Sequence, residues 1–159
     1  MAEPDLLRQL AVARLQGEYA HCIDADELER WPDFFVAVAS YRVTSALNEA
    51  RGLPIGYIEA EGRAMLHDRV LSLREANIYE AQAYRHILSL PRIVAADEAE
   101  ISAETSFLVV RILQGGDVAV FAVGRYCDRI VEQDGALKFR AKTVVLDSDK
   151  IDTLLALPL

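Results

Sequence analysis

Three histidines, His21, His67 and His86, and two cysteines, Cys22 and Cys127, are the whole supply of soft or switchable ligands in this 159-residue chain. No Cys-x-x-Cys or Cys-x-His spacing occurs, and His21 and Cys22, adjacent on a helix, cannot point the same way. No iron–sulfur or other metal site is therefore expected in this chain. General acid–base chemistry needs less, a carboxylate or imidazole as base and a hydroxyl as donor. Tyr19, Asp24, Tyr57, Tyr84 and His86 are the residues that a polar pocket would use. On a strand through position 86, His86 shares a face with Tyr84, Leu88 and Leu90, which turns its ring inward. A hydrogen-bonded core histidine is the competing reading of His86, and Asp24 and Asp26 equally suit a turn and a cap. No nucleophile elbow is present, and Gly115-Gly116 reads as a hairpin turn rather than a phosphate loop.

The elements that must position these residues follow from periodicity. Pro4-Asp5 opens a helix running to about Ile23, with one stripe of Leu6, Leu10, Ala13, Gly17 and Ala20 and another of Val12, Leu15, Tyr19 and Ile23. Two apolar sides suggest two neighbours. A short helix over about 26–31 is expected to stop at Pro32, followed by a strand near Tyr41–Thr44 and a loop at Arg51-Gly52-Leu53-Pro54. Residues 61–77 make the clearest helix, with Met65, Leu66, Val70, Leu73 and Ala76 inside an arc of roughly 140°. Arg69 falls in that arc, so its guanidinium either snorkels out to solvent or pairs with a carboxylate, for which Asp24, Asp26 and Glu61 are candidates. Ala64, Leu71 and Ile78 recur on another side of the same helix, more apolar surface than a lone sheet would cover.

Beyond Ala83 the pattern is β: strands over 83–95, 101–113, 118–131 and 137–147, separated by turn sequences, forming an antiparallel meander. The last strand alternates, Leu137, Phe139, Ala141, Thr143 and Val145 inward against Lys138, Arg140 and Lys142 outward. The two middle strands are apolar on both faces, so something besides the helices should cover one of them. Helices followed by a long meander give an α+β class and one domain over 1–159.

Composition excludes several functions. With 25 acidic against 17 basic residues and a formal charge of −8, the chain would repel a phosphate backbone, so no nucleic-acid partner is expected. No run approaches the roughly 18 apolar residues of a membrane span. The acidic start Met1-Ala2-Glu3-Pro4-Asp5 is unlike a signal peptide, so a cytoplasmic protein is expected. Two cysteines are too few for a disulfide framework and read as small apolar core residues.

A set of longer motifs adds to this reading. Trp31-Pro32-Asp33-Phe34-Phe35, Tyr41-Arg42-Val43-Thr44, Arg51-Gly52-Leu53-Pro54, Met65-Leu66-His67-Asp68-Arg69-Val70, the Arg74–Glu80 stretch, Tyr84-Arg85-His86-Ile87-Leu88 and the closing Asp152–Leu159 run in order through the chain. In these the sequence resembles the small (beta) subunit of bacterial Rieske aromatic-ring-hydroxylating oxygenases. The resemblance implies an NTF2-like (cystatin-like) cone, N-terminal helices packed on a strongly curved antiparallel sheet. It also implies a noncatalytic subunit, stabilising catalytic alpha chains in an α3β3 hexamer that oxidises an aromatic carboxylate. The Rieske 2Fe–2S cluster and mononuclear Fe(II) would then sit on the alpha subunit, fed by an NAD(P)H-dependent reductase. Trp31, Leu71, Ile78, Leu154, Leu155, Leu157 and Leu159 are the interface candidates toward alpha or other beta chains, Trp31 and the closing leucines having packing within the domain as their alternative. The alternatives are the small subunit of a salicylate- or anthranilate-type hydroxylase, and a freestanding isomerase, hydrolase or lyase of the same cone fold using Tyr19, Asp24 and His86.

Overall fold

In the computed structural model, residues 3–76, 82–150 and 155–159 are described. Helix α1 (Glu3–Asp24) occupies nearly the span that its capping and periodicity predict, and ends where Asp26 turns into the left-handed region at φ 58°. Of its two apolar stripes one is buried throughout and the other only toward its C-terminal end, where Ala20 is buried and Ala13 and Gly17 are half-buried. Val12, Leu15, Tyr19 and Ile23 are buried, whereas Leu6 and Leu10, with neighbouring Leu7, face outward. A 3₁₀ helix (Leu28–Phe34) follows, and Pro32 lies inside it instead of ending a helix at 31. Pro32 lacks an N–H but its carbonyl still accepts from the Phe35 N–H, which is all this turn asks of it.

Strand β1 (Phe35–Ser45) is much longer than the 41–44 core of its β-signal. Ser45 then caps α2 (Ala46–Ala50), accepting from the Asn48 N–H, and β2 (Ile58–Glu61) folds back antiparallel on β1. Both short elements fall in stretches to which the sequence pattern assigns no element, save Glu61, expected to open the next helix. Helix α3 (Arg63–Ala76) begins two residues after the expected start. Leu66 and Val70 bury its axis and Leu73 packs partly, but Met65 and Ala76 are exposed, so the buried arc is narrower than predicted.

The expected strand over 83–95 is two strands, β3 (Gln82–Leu88) and β4 (Arg92–Ala96). They are split at Ser89-Leu90-Pro91, where Pro91 has no N–H to offer a ladder. Both pair with β5 (Ile101–Leu113), β3 along its second half and β4 along its first. Strands β6 (Val118–Gln133) and β7 (Ala136–Leu146) complete the meander, joined through Asp134 and Gly135, both at positive φ as an Asp-Gly hairpin turn requires. The sheet does not stay antiparallel. β1 lies parallel to β7, from Ser40 opposite Ala141 to Ser45 opposite Leu146, giving one seven-stranded mixed sheet of order β2-β1-β7-β6-β5-β3 with β4 also on β5. Helices α1 and α3 close its inner face, where Trp31, Phe35, Tyr41, Phe107, Tyr126 and Phe139 form the heart of the core.

The predicted alternation of β7 breaks at one place. Ile130 pairs with Phe139 but Arg129 pairs with Ala141, so Arg140 is an extra, unpaired residue. Past this bulge the inward set changes parity to Lys142, Val144 and Leu146, and Lys142, expected on the wet face, is 0% exposed. Among the described residues no helix is long and apolar enough to cross a membrane.

Gly124 on β6 marks the tightest approach in the sheet. A Cβ there would stand 2.0 Å from the Val145 carbonyl oxygen and 3.1 Å from the Leu146 Cα, both backbone of β7. Gly124→Ala is therefore expected to destabilise the chain by about 3 kcal/mol, the upper end of overpacking costs, read as a lowered urea midpoint at unchanged slope.

Candidate functional site

Of the five acid–base candidates the structure assembles three. Asp24, at the last turn of α1, takes the His86 Nδ1 at 2.6 Å with one oxygen and the His86 backbone N–H at 2.9 Å with the other. This double contact fixes the ring and ties α1 to β3. Tyr84, two residues away on the same face, meets the His86 ring edge-on at 6.3 Å and stacks on Phe121 at 5.1 Å. Tyr19 belongs to a different layer, its ring edge-on to Phe34, Phe35, Tyr126 and Phe139, and its hydroxyl donates to the Leu159 main-chain oxygen at 2.6 Å. Tyr57 stands apart at the rim, exposed, its hydroxyl donating to the Asp149 carbonyl at 3.3 Å.

A carboxylate holding Nδ1 is how a histidine is oriented as a general base. The His86 side chain, however, is 0% exposed, and Nε2 has no hydrogen-bond partner among the described residues. A cleft of about 290 Å³ between α1 and β3, lined by Gly17, His21, Asp24 and His86, reaches the pair, but the imidazole itself is closed off from solvent.

The centre of the cone is filled by a group of residues that sequence reading missed. Lys142 Nζ donates to both carboxylate oxygens of Asp128 at 3.1 Å, Gln16 Nε2 donates to Asp128 Oδ2 at 2.9 Å, and Thr105 Oγ1 donates to Gln16 Oε1 at 3.0 Å. The ammonium also lies over three rings, 3.5 Å from the centroid of Tyr126, 4.5 Å from Phe139 and 4.6 Å from Tyr19. Burial pushes the Asp128 carboxyl up and the Lys142 ammonium down, while their mutual attraction works against both shifts. The signal that could have found the pair is the alternation Tyr126, Asp128, Ile130 on β6, which puts Asp128 on an otherwise apolar inward face.

The interface candidates separate in the same way. Trp31 is 0% exposed, edge-on to Tyr41 and Phe35, and belongs to the core of its own domain. Leu157 and Leu159 are likewise buried in that core, so neither offers a surface to another chain, and Leu155 packs partly against it. Leu71 is 57% exposed. Ile78 and Leu154 lie outside the described residues. Arg69 finds none of the three carboxylates expected for it and donates instead to the carbonyls of Leu155 and Ala156, because Asp24 is engaged by His86 and Asp26, with Glu29, by Arg74. Cys22 is a core residue whose thiol donates to the Glu27 carbonyl and is pushed up to about 11 by burial. Cys127 corrects the core assignment, being half-buried on the outer face between Glu104 and Thr143. Among the described residues no three His, Cys, Asp or Glu side chains converge as a metal site.

Known proteins resemble this chain over nearly its whole length. The family described as the SnoaL-like domain matches residues 4–143. Subunit beta 1 of the terminal oxygenase component of terephthalate 1,2-dioxygenase from Comamonas sp is 44% identical over 97% of this chain and 100% of that protein. The anthranilate 1,2-dioxygenase small subunit from Burkholderia cepacia is 38% identical over 98% of this chain and 96% of its own length. A crystal structure of the beta subunit of a presumed aromatic-ring-hydroxylating dioxygenase from Novosphingobium aromaticivorans superposes with a TM-score of 0.90 at 31% identity, covering 99% of this chain and 100% of the other.

Two outcomes follow from the buried polar groups. Lys142→Met strands a buried carboxylate and is expected to cost roughly 3–5 kcal/mol in chemical denaturation, much of it regained when Asp128→Asn is added. Burial pushes the Tyr41 hydroxyl up to about 12, against which its bond to Leu159 works. Its folded-state value thus lies above the unfolded one near 10, so its contribution is fully present below pH ~10 and is lost as pH rises toward 12. Stability should fall by roughly 2–3 kcal/mol across that window from Tyr41 alone, and Tyr41→Phe should flatten the decline in a pH series of thermal melts.

Proposed function

The chain belongs to the SnoaL-like family and, within it, to the beta subunits of aromatic-ring-hydroxylating dioxygenases, and from that premise we propose that it is the noncatalytic small subunit of a terephthalate-type 1,2-dioxygenase. The observation that carries this reading is the identity of 44% with the Comamonas beta subunit over 97% of this chain and 100% of that protein. The lower identity of 38% with the anthranilate enzyme's small subunit makes an anthranilate-type substrate the second choice.

The residues of this chain do not suit the redox centres that such an oxygenase needs. A Rieske cluster takes two cysteines and two histidines, and mononuclear iron of this type takes two histidines and a carboxylate. Here Cys22 sits on a backbone carbonyl, His86 is bound to Asp24, and no such set converges among the described residues. In this reading the Rieske 2Fe–2S cluster and Fe(II) belong to a catalytic alpha subunit, which binds the aromatic acid and receives electrons from an NAD(P)H-dependent reductase. The product would be a cis-dihydrodiol. The small subunit would act as a one-domain rigid base in an α3β3 hexamer in the cytoplasm.

What this chain would bring to an assembly is a divided outer sheet face. At one end Glu100 pairs with Arg129 and Arg140, and Glu104 with Arg92 and Arg125. At the other end Ile87, Leu108 and Val123 lie side by side across three strands, with Val118 and Val120 beyond them, and all but Leu108 are well exposed. Leu6, Leu7 and Leu10 on α1 and Leu71 on α3 are exposed as well. Scattered apolar residues need no explanation, but a contiguous cross-strand row suits a subunit that spends its life covered.

The oriented Asp24–His86 pair is the observation favouring a freestanding acid–base enzyme instead. Co-expression with a Rieske-type alpha chain, followed by mass determination and terephthalate turnover with and without this subunit, separates the two. The expected result is a hexamer, with turnover falling at least tenfold when this chain is omitted. A chain that stays apart from every such alpha subunit would sink the oxygenase reading.

A further inference from the structure

The apolar end of the outer sheet face holds one cation with no counter-charge. Arg85 on β3 is exposed, stands beside Val110 of β5 and, across it, Val120 of β6, and makes no ion pair among the described residues. The next row, Ile87, Leu108 and Val123, is apolar throughout, and Val118 lies two residues beyond Val120 on the same face. At ~4.8 Å between strands and ~3.3 Å per residue, these rows cover on the order of 300 Å². Asp147 and Asp149 border them beyond Val123, two strands away from Arg85.

The opposite chemistry lies on α3. Its solvent stripe runs Ala64, Asp68, Leu71 and Glu75, and the last three line a shallow hollow of about 380 Å³. Leu71 is 57% exposed between the two acids. Neither carboxylate is paired among the described residues, since Arg74 is taken by Asp26 and Glu29, and Arg69 by the carbonyls of Leu155 and Ala156. One chain cannot join the two surfaces. Helix α3 packs on β1 and β2 at the inner face, whereas Arg85 sits on the outer face at the other edge of the sheet.

We propose that these are the two halves of one contact between copies of this chain, the outer face around Arg85 in one copy receiving α3 of the next. Leu71 lies on the valines, and Asp68 and Glu75 supply the charge that Arg85 lacks. Charge selects this head-to-tail pairing over either surface meeting itself. Two such α3 stripes would oppose four free carboxylates, and two sheet faces would bring together ladders in which four arginines share Glu100 and Glu104. Some 300 Å² is well below the roughly 800 Å² a side of a stable complex, so a lone pair would be weak. A contact between unlike patches repeats until it closes, and closure gives every chain two of them. Closure at three rests on the oxygenase reading; the pairing of the two surfaces does not.

Sedimentation equilibrium of the full-length chain alone, at roughly 10–300 μM, tests this with no alpha subunit present. A trimer is expected. Arg85→Glu should raise its dissociation constant about tenfold or more, as should Asp68→Arg combined with Glu75→Arg, and a chain carrying all three reversals should recover most of the loss. These side chains are exposed, so each variant should melt within roughly 2 °C of the unaltered chain. Should a reversal melt lower, Leu71→Ser and Val120→Ser replace it, change no charge, and should weaken association alike. A chain that stays monomeric, a closed dimer, substitutions that leave association unchanged, or a triple reversal that associates no better than its parts overturns the proposal. A trimer that ignores every Rieske-type alpha chain would keep this contact and remove the oxygenase reading.

Discussion

The ion pair between Lys142 and Asp128 is the constraint around which the rest is arranged. Taking both charges out of water costs several kcal/mol per ion, and only dense compensation offsets it. That compensation comes from four elements: β7 supplies Lys142, β6 Asp128, α1 Gln16 and β5 Thr105, while three aromatic rings face the ammonium. Each partner is placed by a backbone feature. The bulge at Arg140 turns Lys142 inward, and the close approach at Gly124 lets β6 and β7 lie near enough for Asp128 to meet it. A slip of either strand by one residue would leave a bare charge in the core, so the pair selects one register against its neighbours.

The same group takes up the middle of the cone. The volume beneath the helices holds a lysine, a carboxylate, an amide and a hydroxyl that satisfy one another, and Leu157 and Leu159 fill the adjoining space. Even the best-oriented candidate, His86, spends its Nδ1 and its backbone N–H on Asp24, which makes it a clasp between the end of α1 and β3.

Much of the fold was legible because it is written in local patterns. The two long helices came from capping and apolar spacing, and the hairpins from Asp-Gly and Gly-Gly turns. The parts that were not legible depend on tertiary pairing. Strand β2 is four residues whose β character comes from lying against β1, and the parallel docking of β1 on β7 joins stretches far apart in sequence. Pro91 was in plain view, and weighing its missing N–H would have divided β3 from β4. Lys142 was misplaced because strict alternation cannot anticipate a bulge. Among the site candidates, Asp24, Tyr84 and His86 met because strand parity and a helix end are local facts, whereas Tyr57 had no such constraint. The family motifs mark scaffold contacts: Trp31 seals the core, and Arg74 ties α3 to Asp26 and Glu29.

The parallel seam between β1 and β7 bears on how the protein comes into being. A ribosome releases α1, β1 and α3 long before β7, so the N-terminal helices emerge with their natural covering still unsynthesised. Until Ser40 finds Ala141 and its neighbours, the aromatic faces of Trp31, Phe35 and Tyr41 lack one wall. Contacts so distant in sequence close slowly, and a nascent chain in that condition is prone to associate with whatever apolar surface is near. Synthesis beside its future partners, from adjacent messages or a shared one, would turn that hazard into an advantage.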